Sequence, residues 1–113
     1  MRLLLSLLAG TVLLNNPVLA AGEPATTLII DHQKFTPTQL NIPVASRTKI
    51  IIRNQDAVPI EFESYDLSRE IVVPGHGEAS IYIGPLEPGS YQFFNDFDHD
   101  MQGTVIVKPA RGN

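Results

Sequence analysis

An all-β Greek-key β-sandwich is the fold that this sequence predicts, and three observations predict it. Apolar and polar residues alternate over short runs such as Leu40-Asn41-Ile42 and Ile60-Glu61-Phe62-Glu63, the period of a half-buried strand. Turn signals recur at Asn54, Pro74-Gly75, Gly84-Pro85, Pro88-Gly89 and Gly103, roughly every ten residues. No stretch carries the apolar stripe of an amphipathic helix. Together these fit one domain of about seven or eight strands.

The N-terminus stands apart from this pattern. Arg2 precedes an apolar run from Leu3 to Leu14, and Val18 and Ala20 precede Ala21-Gly22-Glu23-Pro24. A basic residue, a short apolar segment and a small-residue cleavage site make a secretory signal peptide over 1–20, cut after Ala20. A membrane anchor is the competing reading, but the run is short and is broken by Asn15, Asn16 and Pro17. The mature domain is then 21–113, which is 93 residues around one core. Its expected location is the periplasm, with no direct membrane insertion after signal cleavage.

Without Arg2 the domain holds seven Lys and Arg against twelve Asp and Glu, a net charge near −5. That balance argues against nucleic acid and anionic membrane surfaces as partners, and it suits cations or a basic protein surface. The chain has no cysteine. An exported domain without disulfides must rely on its apolar core.

The elements follow in order. Thr27-Leu28-Ile29-Ile30 opens the first strand, and Phe35 leads into a turn at Pro37. Leu40, Ile42 and Val44 alternate with polar or proline positions. Lys49-Ile50-Ile51-Ile52, within Thr48 to Arg53, is continuous and β-branched, as in a strand covered on both faces, and it ends at Asn54-Gln55-Asp56. From Pro59 to Glu63 the pattern alternates again, with Ile60 and Phe62 on one face and Glu61 and Glu63 on the other. Ile71-Val72-Val73 stops at Pro74-Gly75, and Ala79 to Ile83 alternates through Ile81. Tyr91 to Phe94 and Thr104 to Lys108 close the sandwich around a loop. Residues 64–70 suggest a single turn, and 21–25 and 109–113 read as loose tails.

Two groups of side chains carry chemistry. Glu61 and Glu63 share a strand face, while Asp96, Asp98, His99, Asp100 and Met101 crowd the last loop. With those strands adjacent, both groups converge at one end of a sandwich. Carboxylate, imidazole and thioether together suit Cu(II) or iron; Met101 adds affinity for Cu(I), and the hard oxygens favour an oxidised metal. The competing view is a solvated acidic rim, the ordinary fate of surface carboxylates. His99 is the best single ligand. Met101 is either a ligand or a core plug. Asp96 is either a ligand or a cap on loop N–H groups, and Asp98 and Asp100 face solvent.

His32, beside Asp31, and His76, between two glycines, read as surface histidines. Tyr91 has the position of a corner tyrosine that ties a turn. Phe93, Phe94 and Phe97 read as core residues or as a lid that limits water at the loop. No serine sits in a Gly-x-Ser-x-Gly context and no glycine loop is built to cradle phosphate, which argues against hydrolase and nucleotide chemistry.

The motifs also carry a resemblance. Phe35-Thr36-Pro37 with Leu40-Asn41-Ile42-Pro43 resembles the opening of many cupredoxins. Asn54 with Pro59 resembles the segment before their first copper histidine, and Pro88-Gly89-Ser90-Tyr91-Gln92-Phe93-Phe94 the strand that enters their ligand loop. The likeness covers nearly all of the mature chain and implies a cupredoxin-like sandwich. The departures are as informative. Ile60-Glu61 stands where a blue-copper protein has His after the Pro, and Asn95 stands where it has Cys after the aromatic; His99 and Met101 survive. A blue-copper site needs a thiolate, so fast electron transfer of that kind is not expected.

Glu61-Phe62-Glu63-Ser64, Arg69-Glu70, Gly84-Pro85-Leu86 and Phe94-Asn95-Asp96-Phe97 are similar to a narrower group, the periplasmic cupredoxin-like proteins that accompany bacterial high-affinity iron permeases. In many of its members His directly follows Asp-Phe, whereas here Asp98 intervenes. That similarity implies copper or iron as the bound metal and help with ferrous iron uptake, by iron oxidation or by delivery to the inner-membrane permease and its periplasmic associates. The ligand set expected here is Glu61, Glu63, Asp96, His99 and Met101. The alternative is a metal-free sandwich whose acidic rim meets a basic partner. A copper carrier is disfavoured, because Cu(I) carriers use several soft ligands and the mature chain has one methionine.

Overall fold

The computed structural model describes residues 24–110, and the signal peptide read over 1–20 lies outside them. Among the described residues the chain forms nine strands and no helix. These are β1 Ala25–Asp31, β2 Lys34–Thr36, β3 Gln39–Ile42, β4 Thr48–Asn54, β5 Ile60–Ser64, β6 Arg69–Val73, β7 Glu78–Ile83, β8 Gly89–Asn95 and β9 Asp98–Val107. They make a sandwich of two sheets, ordered β2-β1-β4-β7 and β3-β9-β8-β5-β6. β1 pairs with β4 and β3 with β9 in parallel; the other pairs are antiparallel.

Period-2 burial drives the two sheets together. Leu28, Ile30, Ile50, Ile52, Ile81 and Ile83 face inward from the four-stranded sheet, against Leu40, Phe62, Val73, Phe93 and Val105 of the other. Phe93 is the hub of this layer: Phe35 meets its ring edge-on at 5.0 Å and Phe62 stacks on it at 5.1 Å. Gly103 opposes Phe93 in the ladder, and a Cβ there would lie 2.3 Å from Phe93 Cζ. The glycine is what admits the ring.

β4 is packed on one face only. Ile50 and Ile52 are fully buried, while Ile51 is half-buried on the outer face. The continuous run had suggested cover on both faces, but no described element lies over the outer face of this sheet.

Buried polar side chains tie the loops to the strands. Asn54 Nδ2 donates to Val58 O (2.8 Å) and Pro74 O (3.2 Å), and its Oδ1 accepts from Asp56 N (3.0 Å). Ser64 Oγ donates to Gln92 O and accepts from Leu67 N, which fixes the 65–68 turn onto β8. Tyr91 Oη donates to Glu87 O at 2.5 Å, the turn-tying role expected of it.

Gly75 sits where the 74–77 turn crosses the 55–58 loop, and an added Cβ would stand 1.9 Å from Ala57 O. Backbone cannot swing aside as a side chain would. Gly75→Ala should therefore lower stability by about 2 kcal/mol or more, read as the midpoint shift in urea unfolding.

Two further expectations change. There are nine strands instead of seven or eight, since the three-residue β2 buries only Phe35 and leaves little alternation to read. And the last loop is a hairpin: β8 and β9 are joined by Asp96-Phe97 alone. Its register passes from Phe94↔Gln102 to Asn95↔Asp98, so residues 99–101 bulge out of the ladder. Bulges are frequent beside functional sites because they re-aim side chains, and this one carries His99.

Candidate metal centre

β5 sorts its side chains strictly by face. Ile60, Phe62 and Ser64 are buried, and Glu61 and Glu63 project from the outer face of the five-stranded sheet. The hairpin to β6 then sets Glu63 directly opposite Glu70 and Glu61 opposite Val72. On the other side, β8 brings Phe94 opposite Glu63. One oxygen from each of Glu61, Glu63 and Glu70 can be chosen so that all lie within 4.8 Å of one another. Like charges paired across strands destabilise a sheet. A fold that keeps three such carboxylates together departs from local stability rules, as proteins do at functional sites.

Asp96 joins this group from the hairpin turn. Its backbone N–H donates to Glu61 O at 2.8 Å, and its carboxyl is close enough to that of Glu61 to help raise the Glu61 pKa. His99 follows: its Nε2 lies 2.9 Å from Asp96 Oδ1, and its ring packs edge-on to Phe94 at 4.8 Å. Tyr65 also meets the Phe94 ring edge-on, at 5.4 Å. A carboxylate holding one nitrogen of an imidazole is the arrangement that orients ligating histidines.

The electrostatics agree with crowding. Partial burial on the sheet face raises the Glu61 pKa first, followed by the charges of Glu70 and Asp96 and the hydrogen bond shared with Asp96. Glu63 is raised by the same partial burial, then by Glu70, Asp96 and Glu61 and a hydrogen bond shared with Glu70. Arg69, adjacent in sequence, turns away to Tyr82 O and Ser68 O, both at 2.9 Å. A cation on this face would relieve the repulsion.

Of the residues chosen from sequence, the structure brings Glu61, Glu63 and Asp96 together and links His99 to them through Asp96. Met101 is not with them. It is 5% exposed, points into the apolar core, and its Sδ accepts from Asn95 Nδ2 at 3.5 Å. Asp98 and Asp100 are exposed, as are His76 in its turn and His32, which pairs with Asp31. Sequence reasoning missed two residues. Glu70 was legible from register, since a hairpin that pairs Ser64 with Arg69 must pair Glu63 with Glu70. Asn95 gave no signal beyond its place in the motif.

The Cupredoxin-like domain family matches residues 3–107. The chain belongs to the cupredoxin-like domain family. An uncharacterized protein of Rickettsia prowazekii (strain Madrid E) is 44% identical over 80 residues, covering 70% of this chain. The chain spans 63% of the length of that relative. Among solved structures, amicyanin from Paracoccus versutus aligns with a TM-score of 0.60 at 20% identity, over 78% of this chain and 87% of amicyanin. The metal binding domain of the Cu(I) exporting P-type ATPase CopA of Streptococcus pneumoniae D39, solved with Cu(I), aligns at 0.65 and 13%, over 75% and 85%. At these identities the likeness shows the fold.

The cupredoxin pattern implies copper between the strand after Pro59 and the last loop. By the resemblance, Ile60 and Asn95 take the places of the histidine and cysteine, and both are 4% exposed. An apolar side chain and a neutral amide do not supply the donors that such a copper site needs. The residues at the inner position do not fit that metal, and the candidate donors Glu61, Glu63 and Glu70 stand on the other face of the sheet.

Proposed function

We propose that this cupredoxin-like protein binds a copper or iron ion on the outer sheet face and serves ferrous iron uptake in the periplasm, handing metal to an inner-membrane permease or oxidising iron before it. The observation that carries the reading is the convergence of Glu61, Glu63 and Glu70 from adjacent strands, with Asp96 and His99 reaching the same face. Hard oxygen donors with one imidazole favour Cu(II) and Fe(III) over the reduced ions. A face that prefers Fe(III) lowers the reduction potential of bound iron and so eases loss of an electron from Fe(II) to an external oxidant such as dioxygen, which an iron-oxidising step requires. The signal peptide over 1–20 is part of this proposal, because it places the site outside the cytoplasm.

A calorimetric titration of the metal-stripped mature protein with Cu(II), with EPR of the loaded form, tests it. Saturable single-site binding is expected, weakened roughly tenfold or more in Asp96→Asn, which removes the carboxylate that orients His99. His99→Ala should weaken binding and remove nitrogen coupling from the EPR spectrum. Binding that is absent, or that neither variant weakens relative to the wild type, would reject the proposal.

One observation favours a second reading. Tyr65 (73% exposed) and Val72 (51%) flank the carboxylates, and an acidic centre with an apolar rim suits a basic protein surface. Absence of metal binding would transfer weight to that reading.

A further inference from the structure

At the inner end of the sandwich one buried side chain links three segments. Asn95, the last residue of β8, is 4% exposed. Its Oδ1 accepts from Glu61 N on β5 (2.9 Å) and from Phe97 N in the hairpin turn (3.0 Å). Its Nδ2 donates to Met101 Sδ on β9 at 3.5 Å. An amide oxygen has two lone pairs, and both are used. The only thioether of the mature chain is engaged at the same point.

These three links join the strand after Pro59, the turn and the bulged part of β9, the segments that copper ligands join in the cupredoxin pattern. The space beside them, a cavity of about 320 Å³, is lined by Val58, Pro59, Ile60, Phe97 and Met101 together with Asn95, Asp98 and other polar residues. No imidazole or thiolate is among its lining.

We propose that Asn95 does structurally what a metal does elsewhere in this fold. It is an amide staple that closes the inner metal position and holds the hairpin in place without any ion. Strand alternation gives the staple a second effect. The residues next to Ile60 and Asn95 are Glu61 and Asp96, which face outward, and the staple grips Glu61 through its own backbone N–H. Asn95 is therefore also a positioning residue for the outer face, and metal chemistry in this chain is confined to that face. The staple itself stands on hydrogen-bond geometry and does not depend on whether the outer face binds metal; only the positioning effect rests on the functional proposal.

Backbone hydrogen exchange in the metal-free mature protein, followed by NMR, reads the staple directly. In Asn95→Ala the Glu61 and Phe97 amides should exchange at least about tenfold faster relative to the central amides of β4, and Tm should fall by roughly 10 °C. Met101→Leu conserves volume; it should leave both amides protected and shift Cu(II) affinity by less than about threefold. X-ray absorption of the copper-loaded wild type should show oxygen and nitrogen neighbours and no sulfur. Unchanged amide protection in Asn95→Ala would overturn the staple. A tenfold loss of copper affinity in Met101→Leu, or a sulfur neighbour, would overturn the closed inner position. Should Asn95→Ala fail to fold, Met101→Leu and the absorption spectrum decide. A wild type that binds no metal rejects the functional proposal and leaves the staple to be judged on exchange alone.

Discussion

Replacing Glu61 and Glu63 together by glutamine is expected to abolish metal binding and, in the metal-free protein, to raise the unfolding temperature at neutral pH. Partial burial, then the neighbouring Glu70 and Asp96, push both carboxyls above the ordinary glutamate range. A carboxyl whose pKa is raised by folding binds protons more tightly in the folded state. Its contribution is least unfavourable in acid, and stability falls as pH rises from the ordinary glutamate value through the raised one. Thermal melts of wild type and the double variant should therefore converge as pH drops through that window and separate above it, with the variant higher. Metal binding should weaken over the same window, since protons compete for the same oxygens. Parallel melting profiles across the window would show that the carboxylates do not repel one another. Undiminished metal affinity in the double variant would remove the outer face as the site.

Phe93→Ala should be among the most damaging single changes, lowering stability by about 3–5 kcal/mol. The ring is 1% exposed and holds Phe35 edge-on and Phe62 in a stack. Its removal forfeits both aromatic contacts and leaves a void that the pleated backbone closes only in part. Gly103→Ala attacks the same contact from the other strand by forcing a methyl into the ring. Chemical denaturation of both variants measures the effect. If Phe93→Ala costs less than about 1.5 kcal/mol, the core relaxes around the gap far more than cavity energetics suggest.

Much of this architecture was legible in the sequence because alternation was strong where it mattered. Ile60, Glu61, Phe62 and Glu63 fall on the faces that their pattern assigned, and Tyr91 ties its turn as expected. What escaped did so for physical reasons. The hairpin turn Asp96-Phe97 lacks the Asn-Gly or Asp-Gly chemistry that marks two-residue turns, so its surroundings read as a loop. In β9 the inward residues Met101, Gly103, Val105 and Val107 do alternate, but the outward Asp98, Asp100 and Gln102 hide a strand that never meets the usual apolar threshold. Ile51 was misjudged because a β-branched run says how well a strand forms, and not how many layers cover it. Asn95 shows the limit of composition: its neighbours in sequence give no hint that it joins β5, the turn and β9.

The three glutamates spring from a continuous pleated sheet and not from a flexible loop, and this has a consequence for ion choice. Their Cα positions are set by backbone ladders whose strands stand about 4.8 Å apart, with Glu63 locked across from Glu70. Such a face acts as a caliper. Its backbone does not contract around a small ion, and a sheet face does not wrap fully around one. Mg²⁺, which demands a near-ideal octahedron and parts reluctantly with its water, should gain little from carboxylates that all approach it from one side. Ions that tolerate irregular coordination should gain more, so a metal site on this face is expected to discriminate against Mg²⁺.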